Sequence, residues 1–266
     1  MGETFNKRLK EKIVIVTGGT QGLGESIARY LAELEVGGLV ICGRNQKKGE
    51  SIARDIEKRD IPTFYVKANL AIEEECRNVV KVCDKKFGRV DGLVNAAGDT
   101  SRGTLEDTTI ELWDYIFAIN TRAPFILIQE SAKIMKREGR GGSIVNIISI
   151  ASYGGLPTIV AYSTSKGAMV TLTKNIAHAL KFDHIRVNGL NIGWTYTEAE
   201  DRMQKSEGKP DDWLELAEAE MPFGRLIFPL DVARLTAFLI SDDSEMMTGA
   251  IIDFDQNVIG VLGDYP

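Results

Sequence analysis

Ile13-Val14-Ile15-Val16-Thr17-Gly18-Gly19-Thr20-Gln21-Gly22-Leu23-Gly24, followed by Glu25-Ser26-Ile27, is the stretch on which the fold turns. Its first part is a continuous apolar, β-branched run, the pattern of a strand buried on both faces of a parallel sheet. A glycine-rich turn follows, and after Glu25 the period changes. In Ser26–Leu34, Ile27, Tyr30, Leu31 and Leu34 fall on one stripe of a helix. Glycines let a backbone approach a diphosphate, and the helix N-terminus behind them offers free N–H groups and a partial positive charge. The spacing is not the G-x-G-x-x-G fingerprint, because position 27 is Ile, nor a P-loop, because no Gly-Lys-Ser/Thr follows.

The same alternation runs down the 266 residues. Strand-like runs recur at Leu39–Cys42, Thr63–Val66, Gly92–Asn95, Ser143–Ile148, Ile185–Leu190 and Ala250–Asp253. Segments 46–60, 72–87, 110–137, 161–181 and 230–240 carry helical spacing. Alternating strand and helix at this pitch predicts right-handed βαβ units, hence an α/β, doubly wound, parallel seven-stranded sheet with helices on both faces. No linker, composition break or repeat divides the chain, so one domain over 1–266 is expected. Only Trp194–Leu226 disturbs the rhythm, a charged excursion with Gly208, Pro210 and Pro222 around a helical stretch, Trp213–Glu220. Leaving the C-terminal end of a parallel strand, it stands where substrate lids sit.

Bulk properties narrow the function. A net charge of −6 gives no reason to bind nucleic acid or an anionic membrane, and Lys7-Arg8 and Lys47-Lys48 read as solvated faces. Met1 to Lys12 is polar with no apolar core, and no segment approaches a membrane span, so a cytoplasmic protein is expected. Cys42, Cys76 and Cys83 lack metal-ligand spacing, and only His178 and His184 exist, so no metal is expected.

Tyr162-Ser163-Thr164-Ser165-Lys166 places Tyr162 and Lys166 four apart on one helix face. Free tyrosine has a pKa of about 10, too high for a base near neutrality. A close ammonium would favour phenolate and bring the group into a working range. Ser149, at the end of the fifth strand, can hold a substrate oxygen beside that hydroxyl.

Taken together, Thr17-Gly18-x-x-x-Gly22-x-Gly24, Asn95-Ala96-Ala97-Gly98, and Asn120, Ser149, Tyr162 and Lys166 in order and spacing resemble the short-chain dehydrogenase/reductase family over nearly the whole chain. The resemblance implies a Rossmann-type fold and an NAD(P)-dependent oxidoreductase interconverting a secondary alcohol and a ketone. It gives Asn120, Ser149, Tyr162 and Lys166 as the catalytic set. Asn120 would hold a water linking Lys166 to solvent, and Lys166 would contact the nicotinamide ribose. Cofactor contacts are expected from Gly18, Thr20, Gln21, Gly22, Leu23 and Gly24, from Asn95 to Gly98, and from Gly193, Thr195 and Thr197. At the adenine the family usually has Asp before Leu or Val; here Asn69-Leu70 stands. Ile192-Gly193 replaces the usual Pro-Gly, which frees φ at that turn. Asp253-Phe254-Asp255 replaces the commoner Asp-Gly-Gly. A homotetramer with helices 110–137 and 161–181 at an interface is likewise implied.

Cofactor choice rests on the end of the second strand, Cys42-Gly43-Arg44-Asn45. An acid there would bind the adenosine ribose and repel a 2′-phosphate; Gly43 removes it and Arg44 offers a guanidinium. NADP(H) is favoured and NAD(H) remains acceptable. For the substrate pocket the expected walls include Asp99, Arg102, Ser149, Ala151, Tyr153, Tyr162 and Trp194. Their polarity suits a sugar, sugar acid or polyol, with Asp99 and Arg102 pairing with each other as the alternative. Related enoyl reductases space Tyr and Lys farther apart, so carbonyl/alcohol chemistry is expected. The competing readings are a non-catalytic NADP-binding sensor, against which Ser149, Tyr162 and Lys166 all stand intact, and a nucleotide-sugar epimerase.

Overall fold

The computed structural model describes residues 9–260. The Lys7-Arg8 run and most of the polar N-terminal stretch lie outside the described residues. Seven strands pair in parallel: β1 (Ile13–Val16), β2 (Gly38–Gly43), β3 (Thr63–Lys67), β4 (Gly92–Asn95), β5 (Gly142–Ile147), β6 (Ile185–Ile192) and β7 (Ile251–Phe254). Their order is β3-β2-β1-β4-β5-β6-β7, so the winding reverses between β1 and β4. At that reversal the connections part to opposite faces and leave a crevice beyond the carboxyl ends of the strands.

The helices are α1 (Gly22–Glu33), α2 (Gln46–Glu57), α3 (Glu73–Phe87), α4 (Ile110–Phe117), α5 (Ala123–Glu138), α6 (Val160–Leu180), α7 (Glu198–Ser206), α8 (Trp213–Ala219) and α9 (Pro229–Ile240). Successive strand side chains point to opposite faces. Val14, Val16, Leu39, Ile41 and Val145 therefore join Ile27 of α1, Ile52 of α2 and Val232 of α9 in one apolar cluster. Ile13, Ile15, Val40, Cys42 and Ile144 join Val79 of α3, Leu127 of α5 and Ala177 of α6 in the other. Each fully buried Leu or Ile here contributes roughly 1.5–3 kcal/mol relative to an exposed one. That two-sided burial is why the strands read as unbroken apolar runs.

Three expectations need correction. The first helix begins at Gly22, before Glu25, because Gly18 (φ +66°) and Gly22 (φ +54°) use left-handed backbone to turn the chain sharply into it. Segment 110–137 is not one helix: a π-helical turn, Ala118–Arg122, separates α4 from α5. Its cause is Pro124, which has no N–H to send four residues back to the Asn120 carbonyl; Ala123 bonds five back, to Ala118 O. In the excursion after β6, α8 matches the expected helical stretch, but α7 was not foreseen. Thr197 caps it, Oγ1 accepting from Glu200 N at 3.0 Å, and Glu198, Glu200 and Asp201 crowd its first turn, where negative charge suits the helix dipole. A parallel bridge between Thr195 and Ile227 closes the excursion, and Trp213, Ala217 and Leu226 give it a small core of its own.

Candidate active site

The glycine turn lies on the carboxyl edge of β1 and leans on β4. Thr17 Oγ1 accepts from both Ala96 N and Ala97 N at 3.0 Å, tying the turn to Asn95-Ala96-Ala97-Gly98. A Cβ on Gly18 would meet Ala97 Cα at 3.0 Å, and one on Gly24 would meet the Gly18 carbonyl oxygen at 2.4 Å. Only glycine permits this packing. No side chain caps α1, so the N–H groups of its first turn are left for something in front of them. In front is a cleft open to solvent. Gly18, Thr20, Gln21, Gly22, Leu23, Gly24, Arg44, Asn69, Leu70, Ala96, Ala97, Gly98, Asp99 and Thr197 line it. Close backbone, open helix N–H groups and a cation at the far end fit a dinucleotide.

Of the other residues expected at the cofactor, Asn45 caps α2 by accepting from Lys48 N at 3.1 Å. Asn95 is buried in β4, where Nδ2 donates to Asn146 Oδ1 at 2.8 Å. Gly193 packs against Asp255, a Cβ there meeting its carboxylate at 2.4 Å, and Thr195 Oγ1 donates to the Gly193 carbonyl at 2.9 Å. Ile192 ends β6 opposite Phe254, and the bond that closes the ladder there runs from Gly193 N to Phe254 O at 2.9 Å. Asn69 Oδ1 accepts from Ala71 N at 3.1 Å in a local turn. Arg44 Nη1 donates to Tyr115 Oη at 2.9 Å, which holds the guanidinium at the cleft. Gly43 is required sterically as well, since a Cβ would meet Thr20 Oγ1 at 2.5 Å.

The four residues of the expected catalytic set converge from three elements. Asn120 sits in the π turn, its Oδ1 accepting from Asp99 N at 2.8 Å and its Nδ2 donating to Asp99 O and Ser165 Oγ at 2.9 and 3.0 Å. That engages both ends of its amide, and the Asn120 main-chain carbonyl, which Pro124 leaves without its helical donor, is a further acceptor open to a water. Lys166 is buried and donates to Ile147 O at 2.8 Å. A Cβ on Gly98 would stand 3.6 Å from Asn120 Oδ1 and 3.7 Å from Lys166 Nζ, so both adjoin the cleft through that glycine. Tyr162 lies one turn before Lys166, whose Nζ is 5.7 Å from its ring centroid. Ser149 lies two residues past β5, where it caps a 3-10 turn, Ile150–Tyr153, by accepting from Ala151 N at 3.2 Å.

Electrostatics depart from the simple expectation. Burial pushes the Tyr162 phenol above the usual tyrosine range; the Ser149 hydroxyl pulls it back, Glu200 adds to the rise and Arg102 opposes it. Burial also brings the Lys166 ammonium down to about 8. The chain's own groups therefore do not bring Tyr162 into a working range, because desolvation outweighs the hydrogen bond.

On the substrate side, Asp99 and Arg102 do not pair with each other. Asp99 Oδ1 accepts from Ser101 N and Oγ at 3.0 and 2.5 Å, and Arg102 pairs with Glu207 at the end of α7. Trp194 is partly exposed; its Nε1 donates to Glu200 Oε1 at 2.9 Å, and its ring stacks on Trp213 at 6.0 Å. Ala151 is buried, and the exposed Tyr153 gives its hydroxyl to Asp253 at 2.9 Å. Sequence reasoning missed Thr17, Glu198, Glu200 and Arg202. A Thr-x-x-Glu pattern, Thr197 to Glu200, was there to announce α7 and with it the last three.

The short chain dehydrogenase family model matches residues 12–208, which hold both the glycine turn and the Ser149–Tyr162–Lys166 set. The chain belongs to the short-chain dehydrogenase/reductase family. Among its relatives, the NADP-dependent (R)-specific alcohol dehydrogenase of Lentilactobacillus kefiri is 35% identical over 245 residues, covering 91% of this chain and 94% of that one. Tropinone reductase-like 3 of Erythroxylum coca is 32% identical over 249 residues, covering 93% of each. The L-sorbose reductase of Gluconobacter frateurii, solved with NADPH and L-sorbose, superposes with a TM-score of 0.88 at 26% identity, covering 96% of this chain and 98% of that one. These relatives mark this short-chain dehydrogenase/reductase as an oxidoreductase, and their differing names leave its substrate open.

Proposed function

We propose that this protein is an NADP(H)-preferring oxidoreductase that interconverts a secondary alcohol and a ketone, with Tyr162 as the acid/base. The observation that carries the reading is the convergence of Asn120 and Lys166 on Gly98, one turn of α6 from Tyr162, at the edge of the glycine cleft. Gly18, Gly22, Gly24 and the first turn of α1 would hold the diphosphate, with Arg44 at the adenosine 2′-phosphate. The bound nicotinamide supplies or accepts hydride. In reduction, the Ser149 hydroxyl donates to the carbonyl oxygen and orients it. The Tyr162 hydroxyl then gives its proton to that oxygen as negative charge develops. Lys166, charged below a pKa of about 8, favours the phenolate left behind, and the proton returns by way of Lys166 and the Asn120 carbonyl. Oxidation runs the same steps backwards. A phenol raised by burial stays protonated near neutral pH, so the proton that reduction consumes is present on Tyr162.

The preference for NADP(H) is supported by Arg44 and the absence of an acid at Gly43, and by the NADP-dependent relatives. A polyhydroxylated substrate is supported by the polar surround of Tyr162, where Arg102 and Glu200 both make themselves felt. Residues 194–226 are the lid. Exposed apolar side chains along α4 and α5, Ile110 at 70% and Phe125 at 42%, support a homo-oligomer with that face at an interface. The test is turnover of NADPH and NADH on ketoses, sugar acids and simple ketones, and of NADP and NAD on polyols. NADPH-linked reduction of ketoses supports the reading; tight NADPH binding with no turnover on any of them refutes catalysis.

A further inference from the structure

Helix α7 presents three faces, and the fold accounts for only two. Asp201 accepts from Trp213 Nε1 at 3.0 Å and pairs with Lys205, binding one face to the small core. Glu200 Oε1 accepts from Trp194 Nε1 and Gln204 Nε2, and Glu207 beyond them pairs with Arg102. Such i, i+4 spacings are what place residues on one side of a helix. The third face, Glu198, Ala199 and Arg202, looks into the glycine cleft.

Across that cleft the N-termini of α1 and α7 stand close. Thr197 Cγ2 lies 3.6 Å from where a Cβ on Gly22 would be. Arg202 sits one helical turn farther along, within the same cleft wall. Its one ion pair among the described residues is with Glu198, at 3.8 Å, with the side chains 60% and 77% exposed, and its charge is also felt by Asp201. An exposed pair at that separation holds neither side chain firmly. Arg202 is thus an available guanidinium facing a surface of backbone N–H groups; the carboxylates in the wall are Glu198, on which it leans, and Asp99, whose Oδ1 accepts from Ser101 N and Oγ. Planar guanidinium is the side chain suited to bidentate capture of phosphate oxygens.

We propose that Arg202 is a cofactor-gripping residue: its guanidinium leaves Glu198 for the diphosphate of a dinucleotide seated against Gly22, drawing α7 over the reacting centre. This rests on the cofactor reading above. Glu198 then acts as the internal competitor that holds Arg202 when the diphosphate is absent, and as an anion that opposes the diphosphate when it arrives. The two residues therefore have opposite signs in binding.

The experiment titrates the full-length protein with NADPH and with NADH, followed by nicotinamide fluorescence, for the wild type, Arg202→Gln, Arg202→Lys and Glu198→Gln. Arg202→Gln is expected to weaken both cofactors by the same factor, roughly 10- to 100-fold, as loss of a charge-assisted contact implies. Arg202→Lys recovers part of that loss, and Glu198→Gln tightens both cofactors a few-fold. Unchanged binding in Arg202→Gln overturns the proposal. So does weakening in both Arg202→Gln and Glu198→Gln, which would mean the pair only stabilises α7, and so does weakening confined to NADPH, which would assign Arg202 to the 2′-phosphate. Failure of the wild type to bind either cofactor sinks the cofactor reading itself and is told apart by that control.

Discussion

On the floor of the cleft, buried amides and hydroxyls bond to one another, with Asn95 Oδ1 left without a partner among the described residues. Asn95 donates to Asn146, Asn146 to Thr173, Asn120 to Asp99 and Ser165, and Lys166 to the Ile147 carbonyl. Across from it, residues 194–226 are held by exposed ion pairs, such as Arg102–Glu207 and Lys205–Asp201, and by stacked rings around Trp213. The floor is buried, where an unpaired polar group is costly; the roof's ion pairs are exposed, screened by salt and individually weak. A hydride-transfer site needs both, because the reacting groups must be preorganised while substrate and cofactor must enter and leave.

The comparison predicts its own largest break at Gly24. Gly24→Ala puts a methyl group 2.4 Å from the Gly18 carbonyl oxygen and 2.8 Å from that of Thr17, backbone atoms that cannot swing aside as a side chain would. Destabilisation of about 1–3 kcal/mol is expected, with loss of measurable NADPH binding. Thermal unfolding and a binding titration check it, and a variant that binds like the wild type would mean that the turn is not the cradle.

Next is Lys166. Its folded pKa of about 8 lies below its ordinary 10.5, so between those values the unfolded chain binds more protons and stability rises with pH. Below about 8 the burial penalty on the ammonium is at its full size, at most about 3 kcal/mol. Lys166→Met should therefore abolish turnover yet unfold at a higher temperature than the wild type at pH 7. That advantage should shrink as pH approaches 10.5, and pH-dependent melting of both proteins measures it. A variant less stable at pH 7 would show that the hydrogen bond to Ile147 outweighs the desolvation cost.

The roof gives the smallest effects. Glu200 raises the Tyr162 pKa and Arg102 lowers it. Glu200→Gln should accordingly move the rising limb of alcohol oxidation to lower pH and Arg102→Gln to higher pH, both with little change in stability. Shifts in the same direction would mean that these substitutions act by displacing α7 and not by charge.

Much of this floor was legible in the sequence because burial leaves a plain mark. Strands β1 to β7 read as apolar runs, and β4 was placed at its observed limits, Gly92–Asn95. Ser149, Tyr162, Lys166 and the glycine turn were singled out by type and spacing together with the resemblance to the short-chain dehydrogenase/reductase family. What escaped was set by single residues that periodicity averages away. Pro124 breaks segment 110–137 and turns Asn120 out of a regular helix, yet one proline in a long apolar pattern is easily passed over. Helix α7 has few apolar residues and is held by Thr197 and by charges, so no stripe announced it. The Arg102–Glu207 pair links residues 105 apart in sequence, and only the closed chain reveals it.

The most direct measurement is NADPH-linked ketone reduction by Tyr162→Phe beside the wild type, with NADPH affinity measured on the same preparations. The phenol ring is kept and only its hydroxyl is lost. The account predicts unchanged NADPH affinity and a turnover number lower by about 10²- to 10⁴-fold. Turnover retained in the Phe variant, with affinity intact, would contradict Tyr162 as the proton donor.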